Sequence, residues 1–267
     1  MKNILYSVYA FFFANRRSLY FNKLLFQLSL RGMGVSNYLN YKISGEKHFL
    51  SKLLPKYNPS LIFDVGANVG NYSKLIREKN RCDILAFEPN PPTTKRLRDN
   101  VLALDGVKVF EIGFSDFSGE TEIFDKQSQE STSQASLYSE VISDYYHSDI
   151  KSTKIKLETI DTFCQREGIS RISLLKIDTE GNEYKILLGA SKMIAEERID
   201  LIHFEFNVMN ITSRVFFKDF FKLLANFNFY RLLPHSLLPI NYANPVEYEI
   251  FAFQNIIAIR KDIDQER

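Results

Sequence analysis

The chain has 267 residues, of which 45% are hydrophobic and 25% charged, too apolar for a disordered or collagen-like chain and ordinary for a folded one. Its 34 basic residues against 32 acidic ones leave a formal +2, without the basic excess of a nucleic-acid sheath. The two cysteines, Cys82 and Cys164, have no CxxC spacing, which argues against a disulfide framework or a zinc ribbon and fits a reducing, cytoplasmic compartment.

An apolar run from Ile4 to Ala14 is shorter than the roughly 18 to 20 residues that span a bilayer. Asn15, Arg16 and Arg17 follow it where a secretory signal would show a small-residue cleavage site. Leu19, Tyr20, Leu24, Leu25 and Leu28 then recur at helical spacing with Arg16, Arg17, Lys23 and Arg31 between them, predicting an amphipathic helix stopped by Gly32 and Gly34. Such a stripe packs on the main domain, on a second subunit of a homo-oligomer, or at a lipid surface as a peripheral membrane contact. Residues 1–50 read as this helical extension and residues 51–262 as one domain.

From Leu61 onward, short β-branched and aromatic runs alternate with helical stretches, the pattern of an α/β, mostly parallel sheet with helices on both faces. The expected strands are Leu61–Val65, Asp83–Phe87, Val107–Ile112, Ile172–Ile177, Leu201–Phe206, Phe229–Leu233 and Asn255–Ile259. Helices are expected to begin near Tyr72, Pro91, Glu158, Glu183 and Ser213. The segment from Gly119 to Lys151, with its QSQESTSQAS run, reads as an inserted lid or surface loop. A hairpin from VEYEIFAF into IIAIR, turning at Gln254–Asn255, is expected to put an antiparallel strand at one sheet edge.

The sharpest local motif is DVGANVG, Asp64 to Gly70, between the first strand and a helix. Gly66 and Gly70 let backbone approach a ligand. Asn68 and Asn71 stand where a dinucleotide fingerprint has glycines, and no GKS or GKT follows, which weighs against an NAD-dependent oxidoreductase and a P-loop. Asp64 repels a pyrophosphate and suits a cationic ligand. Glu88, 18 residues after Gly70 in FEPN, is placed to accept from a ribose diol. S-adenosylmethionine, with its sulfonium, amino-acid end and adenosine, meets both demands. Asp116, after the third strand, is placed to accept from an adenine amino group or to cap the next turn.

With DVGANVG, FEPN and LKIDTEGNE in this order, the chain resembles the FkbM family of S-adenosylmethionine-dependent methyltransferases over roughly Gly45 to Ile259. The resemblance implies a class I methyltransferase (Rossmann-like) sheet of seven strands with one antiparallel edge strand. It implies cofactor contacts at Asp64, Gly66, Ala67, Asn68, Gly70, Glu88 and Pro89. It also implies O-methylation of a hydroxyl, often on a sugar or a polyketide-derived molecule, with many bacterial members serving surface-polysaccharide or glycolipid assembly. Asn68 departs from the glycine common in class I enzymes at large, and is usual in this family.

Methyl transfer to a hydroxyl needs alignment and a proton acceptor. Asp178, at the end of the fourth strand, is the first candidate for base or acceptor positioning. Lys176 shares its strand face and is placed to hold Asp178 ionised or to stabilise an alkoxide. Glu180 opens the following turn. Glu205 and Asn207, at the end of the fifth strand, join Asp178 in a set that resembles the magnesium-holding acids of catechol O-methyltransferase-like enzymes. His203 offers proton transfer from the same strand face as Glu205, and His147 a lid contact. Two other readings stay open: a buried structural salt bridge for the Lys176 cluster, and a noncatalytic nucleoside-binding module that docks a membrane-bound complex. The late rings, from Phe216 through Tyr230 to Tyr242 and Tyr248, are expected to flank the acceptor wall.

Overall fold

The computed structural model describes residues 2–126, 135–140, 143, 147 and 150–266. Its strands are β1 (Leu61–Val65), β2 (Asp83–Phe87), β3 (Val107–Phe110), β4 (Gly113–Phe114), β5 (Gly119–Lys126), β6 (Ile150–Glu158), β7 (Ile172–Ile177), β8 (Ile199–Phe206), β9 (Phe227–Leu232), β10 (Leu237–Pro239) and β11 (Gln254–Arg260). Eight of them, one more than expected, form a sheet in the order β10-β9-β11-β8-β7-β1-β2-β3. The added strand is β10, which lies antiparallel to β9 at the edge. β11 also runs antiparallel, but between β8 and β9. The expected hairpin does not form: Pro245–Tyr248 is a turn of helix, with Pro245 at a first-turn position that needs no N–H partner. Every residue of β11 is buried, so the strand belongs inside the sheet.

Strand alternation divides the core into two layers. Phe63, Val65, Leu175, Ile177, Phe204 and Phe206 face helices Ile160–Glu167, Glu183–Leu188 and Phe217–Leu223. Ile62, Leu174, Leu201 and Ile257 face helix Asn71–Lys79 and the turns from Phe49 to Leu54. The late rings mostly fill the first layer: Phe217, Phe220, Phe229 and Tyr248 are buried there, and Phe204 stacks on Phe220 at 4.5 Å.

Part of the Gly119–Lys151 segment is strand rather than loop. β5 pairs antiparallel with β6, β6 pairs parallel with β4, and Ile123, Ile155 and Leu157 bury one side of this second sheet. Ser136 exchanges backbone hydrogen bonds with Phe124. Most of QSQESTSQAS, residues 127–134, lies outside the described residues.

At the start of the chain, α1 (Lys2–Phe13) and α2 (Leu19–Gly32) form helices with no buried residue. The chain then ties to the sheet edge: the Ser36 N–H donates to the Phe253 carbonyl and the Arg231 guanidinium donates to the Met33 carbonyl. Among the described residues no helix is long and apolar enough to cross a membrane.

Candidate active site

On the second face of the sheet, Asp64, Lys176 and His203 stand side by side on neighbouring strands, the pairing register setting Asp64 against Lys176 and Lys176 against His203. The Lys176 ammonium lies 3.5 Å from Asp64 Oδ1 and 3.2 Å from Asp178 Oδ2, and 5.1 Å from the centre of the Tyr72 ring. Burial alone would lower it, but Asp178 and Asp64 raise it above the ordinary lysine range. Asp64, fully buried, also accepts from the Ser73 hydroxyl at 2.6 Å. A buried cation of this kind is tolerated because its carboxylates come with it in the strand register.

His203 is closed in rather than presented to a substrate. Its Nδ1 lies 2.7 Å from the Tyr72 hydroxyl and its Nε2 3.1 Å from Asn255 Oδ1. Burial, and then the Lys176 charge, push it down to about 4. It is a neutral imidazole that locks three elements together, which argues against the proton-transfer option.

In the Asp64–Gly70 turn, both glycines are demanded by packing. A Cβ on Gly66, whose φ is +73°, would lie 1.8 Å from the Asp178 carbonyl oxygen. A Cβ on Gly70, at φ +84°, would lie 2.8 Å from Leu97 and Val101. Close approach of β1 to the tip of β7, and of the turn to helix Pro91–Val101, is what excludes a side chain. Glu88 accepts from the Asn68 N–H at 3.1 Å and the Asn90 N–H at 3.0 Å. Burial raises it to about 7 despite those two hydrogen bonds. Ala67 is buried in the same turn, and Pro89 is half-buried against the position of Gly113. Asp116 is exposed, accepts from the Ser115 hydroxyl, and lines neither of the cavities below.

Two adjoining cavities open at the carboxyl ends of these strands, where open α/β sheets bind ligands. One, of about 290 Å³, is walled by Glu46, Asn68, Tyr72, Lys176 and Asp178. The other, of about 480 Å³, is walled by Tyr38, Asn68, Asp178, Glu180, Glu205 and Asn207. Asn68 and Asp178 belong to both. Asn68 and Glu180 hold left-handed backbone at φ +49° and +53°, a costly conformation for residues with side chains and one that gathers at functional sites. Burial, and then Asp178 and Glu183, raise Glu180 to about 8. Burial, and then Asp178 and Glu180, raise Glu205 well above the usual carboxylate range.

Four contributors were not anticipated. Glu183 is buried and gathers the Thr179 N–H, the Thr179 hydroxyl and the Gly181 N–H, fixing the DTEG turn. Its position four residues after Thr179 was a usable signal. Tyr38, Tyr41 and Glu46 reach the cavities from the segment after α2, and no periodicity announces that. The late rings, by contrast, do not wall this cleft. Phe221 and Tyr242 line a separate 520 Å³ groove over β9. Ser136 donates to the Glu180 carbonyl at 2.8 Å, bringing the inserted segment to the site, whereas exposed His147 lines neither cavity.

The set Asp178, Glu205 and Asn207 does not fit a magnesium ion well. Asn207 Oδ1 accepts from the Met209 N–H at 2.8 Å and its amide donates to Glu205 at 3.3 Å, so one lone pair of the oxygen is taken and the amide is turned toward a carboxyl of the same set. Among the described residues no group of three or more His, Cys, Asp and Glu side chains is placed to hold a metal.

Comparison with known proteins gives these features a context. The methyltransferase FkbM domain family matches residues 64–230. The 2-O-methyltransferase NoeI of Sinorhizobium fredii is 25% identical over 55% of this chain and 63% of its own length, so the match spans under two thirds of that relative. The hexuronic acid methyltransferase AglP of Haloferax volcanii is 25% identical over 68% of this chain and 69% of its own. Among solved structures, a precorrin-6y C5,15-methyltransferase from Geobacter metallireducens covers 80% of this chain and 84% of its own at 12% identity, with a TM-score of 0.41.

Proposed function

The chain belongs to the FkbM methyltransferase family, and from that premise we propose that it is an S-adenosylmethionine-dependent O-methyltransferase acting on a hydroxyl of a saccharide or glycolipid. The observation that carries this reading is the convergence of Asp178, Glu180 and Glu205 on one cavity beside the Asp64–Gly70 turn.

S-adenosylmethionine supplies an electrophilic methyl group. The donor chemistry suits it: the Asp64–Gly70 turn has no basic side chain of its own, and each Glu88 oxygen keeps acceptor capacity beyond its one backbone N–H. The Asp64–Gly70 turn with Ala67 and Asn68, and Glu88 with Pro89, would hold the amino-acid and ribose portions.

An acceptor hydroxyl becomes nucleophilic as its proton leaves. Asp178, partly exposed and oriented by the Lys176 ammonium, is the group that takes this proton. Glu180, raised to about 8 by burial and its carboxylate neighbours, is largely protonated at neutral pH and donates a hydrogen bond to an acceptor oxygen, and Glu205, raised by burial, lines the same cavity. Tyr38 and Phe253, in edge contact at 5.8 Å, add ring surface for the apolar face of a sugar. The relatives named for 2-O-methylation and hexuronic acid methylation support a saccharide acceptor.

The test combines binding with transfer. Full-length protein is incubated with S-adenosylmethionine and a panel of saccharides that includes hexuronic acids, and products are read by the mass of one added methyl group. Asp178→Asn is expected to bind S-adenosylhomocysteine as the wild type does and to lose roughly 10²- to 10⁴-fold in transfer; undiminished turnover removes Asp178 from the role. Exhaustive chelation is expected to leave the rate unchanged, and a loss that Mg²⁺ alone restores would put a metal in the cleft.

A further inference from the structure

The first 45 residues hold six of the chain's 34 basic residues and none of its 32 acidic ones, so a chain that is nearly neutral overall is strongly polarised. The same stretch carries the exposed apolar surface. Of the 26 large apolar or aromatic side chains left exposed among the described residues, fifteen lie on α1 and α2, with Phe11 at 84% and Tyr20 at 82%. Scattered exposed rings are normal on a protein surface, but a contiguous concentration of this kind marks an interaction surface.

The two helices are joined into a defined unit. Asn15 Oδ1 accepts from the N–H groups of Arg17 and Ser18, turning the chain between them. The Tyr9 hydroxyl donates to Asn22 at 2.6 Å, Asn22 donates to the Phe13 carbonyl at 2.8 Å, and Tyr9 stacks on Phe13 at 5.0 Å. Arg16 and Arg17 stand exposed at the bend.

What covers such a unit follows from its shape and charge. Within α1 only Lys2, Asn3 and Ser7 interrupt the apolar residues, so the helix is apolar around its circumference and every residue described in it is exposed. A protein groove covers one side of a helix. The boundary region of a lipid layer covers more, and it takes aromatic and aliphatic side chains together with Lys and Arg near its head groups. A second copy of the chain would set two cationic, acid-free arms against each other, which electrostatics opposes. We propose that α1 and α2 form a membrane-surface anchor that docks the protein on an anionic phospholipid bilayer without crossing it. The anchor runs on in sequence to Tyr38, Tyr41 and Glu46, which wall the candidate site. The corollary that the acceptor is a lipid-linked saccharide rests on the methyltransferase reading; the anchor itself does not.

Flotation of the full chain with vesicles tests the proposal. Vesicles of phosphatidylcholine with phosphatidylglycerol are expected to carry the protein up, vesicles of phosphatidylcholine alone to carry much less, and added salt to weaken the difference. Arg16→Glu with Arg17→Glu should weaken binding to anionic vesicles about tenfold or more. Phe11→Ser with Phe12→Ser should weaken binding to both compositions. No residue of α1 or of the Arg16–Ser18 turn is buried, so these variants should keep the wild-type melting temperature and affinity for S-adenosylhomocysteine. That control separates failure of the anchor from failure of the methyltransferase reading. Absence of binding to anionic vesicles, wild-type binding by both variants, or a concentration-dependent dimer that the Phe variants abolish would each overturn the proposal, the last by assigning the surface to a second copy.

Discussion

At the rim of the sheet Lys176 is buried 3.5 Å from Asp64 and 3.2 Å from Asp178, while along α1, α2 and the bend between them the cations Lys2, Arg16, Arg17, Lys23 and Arg31 are without an acid anywhere in the first 45 residues. The contrast extends to the apolar groups. Phe63, Phe87 and Phe163 are fully buried against one another in the body, and Phe11 and Phe12 in the arm are largely exposed. In the body, strand register sets Asp64 beside Lys176, and the core rings pack on one another. In the arm the same residue types stand exposed on α1 and α2, the surface to which the proposed anchor assigns a partner.

The contrast predicts a graded series of responses, the largest at the rim. Gly66→Ala puts a Cβ 1.8 Å from a backbone oxygen at φ +73° and should cost more than about 3 kcal/mol in denaturant unfolding, or prevent folding. Gly32→Ala at the end of α2 meets nothing within 4 Å and should change stability by less than about 1 kcal/mol. Equal effects at the two glycines would erase the distinction. Lys176→Met removes one partner of a buried ion pair and should cost about 3–5 kcal/mol; a neutral result would mean that Asp64 and Asp178 do not need the cation.

A smaller effect concerns pH. Glu88 has an ordinary value of 4.5 and is raised to about 7 in the fold. The folded chain therefore holds its proton more tightly, so the contribution of Glu88 to stability is full below about 4.5 and is lost as pH rises toward 7. Cofactor binding should run the other way, because ribose hydroxyls donate to the carboxylate. Calorimetric affinity for S-adenosylhomocysteine should rise between about pH 6 and 8, and Glu88→Gln should bind more weakly with no such rise. A pH-independent wild type would take Glu88 out of the ribose site. Smallest of all, Phe11→Ser should shift unfolding by no more than about 0.5 kcal/mol.

How much of this was legible in the sequence depends on the distance over which each feature is encoded. The boundaries of β1, β2 and β7 follow directly from short apolar runs flanked by turn residues. The glycine turn, Glu88 and the KIDTEG cluster follow from local motifs. β5 was hidden because GETEIFDK alternates around only one deeply buried apolar residue, Ile123, whose partners Ile155 and Leu157 lie on a distant strand. β11 was misplaced at an edge because VEYEIFAF alternates like a strand, and only tertiary context selects the helical turn at Pro245. The role of Gly66 could be named as a need for close approach, but what approaches is the Asp178 carbonyl. Glu46 and Tyr41 arrive at the site through long-range packing of the segment after α2. The same lack of local signal explains why the late rings read as an acceptor wall, when Phe217 and Phe220 are core.

The central claim is that the strand tips around Asp64, Glu88 and Asp178 form a methyl-transfer site. A crystal structure of this 267-residue chain with S-adenosylhomocysteine tests it most directly. The ligand is expected against the Asp64–Gly70 turn, with its ribose hydroxyls on Glu88 and its sulfur facing the cavity shared by Asp178, Glu180 and Glu205. A ligand seated away from these strand tips, or one whose sulfur faces away from Asp178, would contradict it.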